Sequence, residues 1–84
     1  MNISGVVVRT FPANIDDVWQ TLTKMEGVEV HAANENGRLV VTIEKPRERD
    51  IADLLVHMQD VPGVLSASMV YHQFEDLDQQ EAEQ

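Results

Sequence analysis

The sequence predicts an α+β domain built from two strand–helix–strand units in tandem. Three observations carry that prediction. First, a pattern recurs 36 positions on: Ile15 with Ile51, Asp17 with Asp53, Val18 with Leu54, Trp19 with Leu55, Leu22 with Met58, Met25 with Val61, Gly27 with Gly63 and Val28 with Val64. Second, each copy places its apolar residues at helical spacing and then stops at a glycine. Third, β-rich runs flank both copies, and an Asn36-Gly37 hairpin signal joins the units.

Each element has its own justification. Residues 3–10 are valine-rich and read as a strand that Pro12 closes. Asn14 is a suitable N-cap, and Asp16 and Asp17 suit the positive end of the helix that follows. Its buried stripe is Ile15, Val18, Trp19, Leu22 and Met25. Residues 28–33 alternate as a half-buried strand, and residues 38–44 return from the hairpin turn. The second helix is expected over residues 48–61, with Ile51, Leu54, Leu55, Met58 and Val61 inward, until Pro62-Gly63 stops it. Residues 64–74 form the last strand.

The resulting order is βαββαβ. Right-handed crossovers then give a ferredoxin-like fold, a four-stranded antiparallel sheet with both helices on one face. The expected spatial order is last strand, first, third, second. Residues 1–74 form the domain. Residues 75–84 hold Glu75, Asp76, Asp78, Glu81 and Glu83, with Leu77 the only large apolar side chain, and are expected to be a disordered acidic tail.

Composition narrows the function classes. At 84 residues there is room for one domain. With no cysteine, disulfides, thiolate metal sites and cysteine nucleophiles are excluded. No apolar run is long enough to span a membrane, and the first residues lack an export signal, so a cytoplasmic address is expected. The net charge is −9, and removing the five tail acids from the fifteen leaves ten against six bases, a net of −4. An acidic body without a basic stripe argues against nucleic acid and is compatible with a basic partner. His31, His57 and His72 show no metal-ligand spacing, and no acid–base pair or phosphate loop is visible, so neither an enzyme nor a metal site nor a cofactor is expected.

Strict alternation divides the sheet. Val6, Val8, Val28, Val30, Leu39, Val41, Ile43, Leu65, Ala67 and Met69 should face the helices. Gly5, Val7, Arg9, Glu29, His31, Val40, Thr42, Glu44, Ser66, Ser68, Val70 and His72 should face away. On that open face Val7 is expected to lie between Val40 and Val70, making an apolar strip with charge and histidine at its ends. Such a strip suits a helix or an extended peptide.

The last strand, Gly63-Val64-Leu65-Ser66-Ala67-Ser68-Met69-Val70-Tyr71-His72-Gln73 followed by acids, resembles that of the NapD family. Val6-Val7-Val8, Gly27-Val28-Glu29-Val30 and Gly37-Arg38-Leu39-Val40-Val41 fit the same family, so the likeness covers nearly the whole chain. It implies a cytoplasmic chaperone that binds the twin-arginine signal peptide of NapA, the catalytic subunit of periplasmic nitrate reductase, and delays export until its cofactors are inserted. It also implies that the peptide lies as a helix on the sheet. The binding residues expected on this reading are Val7, Arg9, Glu29, Val40, Thr42, Glu44, Ser66, Ser68, Val70 and His72. The alternative is a small-molecule regulatory domain of the ACT type, which shares the fold and a Pro-Gly-Val entry to its last strand.

Overall fold

A computed structural model describes residues 2–74, apart from the side chain of Phe74. The expected disorder of residues 75–84 lies outside the described residues. Four strands run β1 (Asn2–Thr10), β2 (Val28–Ala33), β3 (Arg38–Lys45) and β4 (Val64–Phe74), with α1 (Ile15–Thr23) and α2 (Glu48–Gln59) between them. The sheet order is β2-β3-β1-β4 and every pairing is antiparallel. This is the ferredoxin-like βαββαβ arrangement that the tandem repeat implies.

Both helices sit on one face of the sheet, because a single core joins their buried residues. Val18 and Leu22 of α1 and Ile51 and Met58 of α2 pack in one cluster with Val6, Val8, Leu39, Val41 and Ile43. These strand residues are the ones alternation assigns to the helix side. The repeat also survives as geometry. Gly27 and Gly63 both have positive φ, 84° and 94°, a region that suits glycine. In each copy the following valine closes the same turn, Val28 N–H onto Met25 O at 3.2 Å and Val64 N–H onto Val61 O at 3.0 Å.

Local details depart from the sequence reading. Asn14 occupies the cap position of α1 but makes no side-chain cap bond, because a single 3₁₀ turn, Pro12–Asn14, leads into the helix. The second helix ends at Gln59, two residues before Val61, although Val61 stays in the core. The hairpin is anchored by Asn34, whose Oδ1 accepts from the backbone N–H groups of Asn36 and Arg38. Trp19, expected in the buried stripe, is only partly buried, packing one side against the core while bordering a shallow groove with Gln20, Thr23 and Lys24.

The largest departures lie in β4. Arg9 pairs with Ser66 and Thr10 with Val64, so Leu65 is an extra residue without a partner. It is 56% exposed instead of inward, and Val64 packs against the core in its place. Gly5 pairs with Tyr71 and Val6 with Met69, so Val70 is a second unpaired residue. Met69 does pair on the helix side, but it lies on an edge strand and stays 42% exposed, so it is no core filler. Beyond Val70 every side chain changes face relative to strict alternation.

Candidate functional site

The face opposite the helices is built of rows that the strand register defines. At one end Ser66, Arg9 and Arg38 lie side by side. The next row is Ser68, Val7, Val40 and Ala32, then Tyr71, Gly5, Thr42 and Glu29. The last row is Gln73, Ile3 and Glu44. The centre of the face is therefore apolar, with cations at one end and carboxylates at the other.

Val7 therefore lies between Val40 and Ser68 rather than between Val40 and Val70. Val40 is 47% exposed and Val7 is half-buried beneath its neighbours. The second apolar contribution comes from a residue that alternation puts on the wrong side. Because of the bulge at Val70, Tyr71 turns to the open face and its ring covers Gly5; a Cβ at position 5 would overlap that ring. The ring is still half exposed. Glycine at position 5 is thus the condition for an aromatic platform lying against the sheet.

The same slip removes His72 from the open face. His72 pairs with Ser4, a fully buried residue on the helix side, and Ser4 Oγ and His72 Nδ1 share a hydrogen bond at 2.6 Å. The pair is short, but Ser4 is out of reach of any substrate, so it fastens β4 to β1 and offers no nucleophile.

His31 is also an unpaired residue, lying between the Val30–Val41 and Ala32–Val40 pairs. Its ring nevertheless reaches the open face, where Nε2 lies 2.7 Å from Thr42 Oγ1 and 3.7 Å from Glu29 Oε1. Glu29 and Glu44 border one depression of about 360 Å³, together with Ile3, Gly27, Val28 and Thr42. Carboxylates so placed, with an apolar wall and a hydroxyl, suit a guanidinium better than a neutral ligand.

Of the ten residues the sequence singles out, the rows bring Val7, Arg9, Glu29, Val40, Thr42, Glu44, Ser66 and Ser68 onto one face. His72 is on the other side and Val70 is the unpaired residue at the bulge. The sequence reading misses Tyr71, Ile3 and Arg38. Arg38 has the same strand parity as Val40, so counting one step further back along β3 finds it. Tyr71 has no such signal, since nothing in Met69-Val70-Tyr71 announces a bulge.

Comparison with known proteins supplies the context for this face. The family model described as NapD protein matches residues 1–76. A protein named chaperone NapD from Escherichia coli strain K12 is 29% identical over 75 residues, which is 88% of this chain and 86% of that protein. The solution structure of the E. coli Tat proofreading chaperone protein NapD superposes with a TM-score of 0.79 at 29% identity, covering 89% of this chain and 80% of that one. A hypothetical protein from Pyrococcus horikoshii also reaches a TM-score of 0.79 over 92% of this chain and 94% of that one, but at 15% identity it shares the fold alone.

Proposed function

The chain belongs to the NapD family, and from that premise we propose that it is a cytoplasmic chaperone whose open sheet face binds the twin-arginine signal peptide of NapA, the periplasmic nitrate reductase catalytic subunit. Holding the peptide keeps it from the export machinery until the reductase has received its cofactors. The chaperone itself performs no chemistry and carries no cofactor.

The observation that carries this reading is the composition of the uncovered face. A sheet face left to water usually bears alternating charge. Here the central rows offer Val7, Val40 and the Tyr71 ring, with Ser68 and Thr42 beside them. An amphipathic or apolar helix laid along Val7, Val40 and the Tyr71 ring buries both surfaces and leaves Glu29, on the edge strand β2, at the border of the row. At the end of the same face the depression bordered by Glu29 and Glu44 offers carboxylates to arginine side chains. A twin-arginine signal peptide has both parts, a basic segment and an apolar one. Guanidinium–carboxylate pairs fix its position, while the apolar rows supply most of the affinity. Family membership favours this reading over a small-molecule regulatory domain.

The test is a titration of the full chain with a synthetic NapA signal peptide, followed by amide chemical shifts. The expected result is saturable binding with the largest changes at Val7, Val40, Thr42 and Tyr71. Changes confined to the outer surfaces of α1 and α2, or no saturable binding, would sink the proposal.

A further inference from the structure

Arg9 and Arg38 are direct cross-strand partners on the open face, and both are exposed. Like charges directly opposite one another weaken a strand pair. Among the described residues, neither guanidinium lies within ion-pair distance of a carboxylate. A local conflict of this kind, at the rim of a binding face, marks a place where an outside group completes the charge balance.

Resting on the signal-peptide reading above, we propose that this arginine pair makes the face directional: it receives the C-terminal end of the bound peptide helix, while Glu29 and Glu44 receive the arginine-bearing N-terminal end. The geometry supports a helix of definite length. Glu44 and Arg38 are six residues apart on β3, which is about 20 Å of strand. A helix covers that distance in about 13 residues. Its C-terminus ends in carbonyls without partners and carries the negative end of the helix dipole. Two guanidinium groups supply donors and positive charge at that point. Its N-terminus carries the positive end, which suits carboxylates. Both ends of the face therefore match both ends of a helix lying in one direction. In the reverse direction the peptide's arginines would meet Arg9 and Arg38, and its carbonyl end would meet Glu29 and Glu44.

The experiment uses the full chain and the synthetic NapA signal peptide carrying a nitroxide at its N-terminus or, in a second sample, at the end of its apolar segment. The N-terminal label is expected to broaden the amides of Gly27, Glu29 and Glu44, and the second label those of Arg9, Arg38 and Ser66. The Arg9→Ala/Arg38→Ala variant is expected to keep its melting temperature and to lose about tenfold in affinity. A reversed broadening pattern, equal broadening of both ends, or undiminished affinity of the double variant would overturn the directional proposal while leaving the binding face in place. Absence of saturable binding by the unmodified peptide would instead bring down the reading on which it rests.

Discussion

Val7 and Val8 are neighbours in sequence with opposite fates, and exchanging each for glutamate tests the face assignment in both directions. Val7 is half-buried on the open face between Val40 and Ser68. A helix covering it removes its remaining exposure, at most about a third of the ~1.5 kcal/mol that full burial of a valine contributes. Val7→Glu loses that contribution and traps a carboxylate without a partner beneath the peptide, at a cost of at least about 3 kcal/mol after the side chain bends toward water. The added negative charge also attracts a basic peptide, but salt screens that gain to a few tenths of a kcal/mol. The net effect is about 3–4 kcal/mol, or several hundredfold in Kd. Isothermal titration with the synthetic NapA peptide reads it, and thermal melting should show the variant folded. Val8 is fully buried in the core. A domain of this size has a total stability of about 4–12 kcal/mol, and an unpaired buried carboxylate takes most of it. Val8→Glu should therefore lose its far-UV circular dichroism transition. A folded Val7→Glu with wild-type affinity, or a Val8→Glu as stable as wild type, would refute the assignment of faces.

Further expectations concern the platform, the turns and the half-buried tryptophan. Tyr71→Ala removes the ring over Gly5 and should weaken peptide binding about tenfold while Tyr71→Phe does not, since the contribution comes from the ring face; equal affinity for all three would remove Tyr71 from the site. Gly27→Ala should cost about 2–3 kcal/mol in urea denaturation, because its Cβ would lie 2.6 Å from the Glu44 carbonyl oxygen in addition to the positive φ. Gly63→Ala should cost less, about 1–2 kcal/mol, because its nearest neighbours are side-chain atoms of Asn14 and Val18 at 3.0–3.2 Å, which can give way; the opposite ranking would contradict the turn geometry. Trp19→Ala should cost about 2 kcal/mol, below the ~3–5 kcal/mol of a fully buried aromatic, and a loss at the upper end of that range would show the ring to be enclosed.

The helices and the turns were legible because they depend on local signals. The spacing of Val18 and Leu22, and of Ile51 and Met58, needs only a period of 3.6 to find the core face. Gly27 and Gly63 need only a chain that must turn with positive φ. The open face was legible as far as alternation holds, which is along β1 and β3 and from Ser66 to Met69 on β4. It failed at Val70 because parity is cumulative: one unpaired residue inverts every assignment after it. That is why Tyr71 and His72 exchanged roles. Leu65 failed for the same reason at the other end of the strand, where the unpaired residue is apolar and exposed. Trp19 failed differently. The helical period places it on the inward stripe, but it packs only at the margin of the core and borders a groove with Gln20, Thr23 and Lys24.

The irregularities that spoil the parity count have a consequence for how the protein survives in solution. A sheet that leaves an apolar face uncovered also has two outer strands, β2 and β4, whose free backbone groups could recruit another chain and extend into a fibre. Both outer strands are interrupted, β2 at His31 and β4 at Leu65 and Val70. A strand of regular pleat cannot continue its ladder past such interruptions, which twist the border and put successive amides out of step. The borders of the sheet thus resist polymerisation although its uncovered face carries exposed apolar side chains.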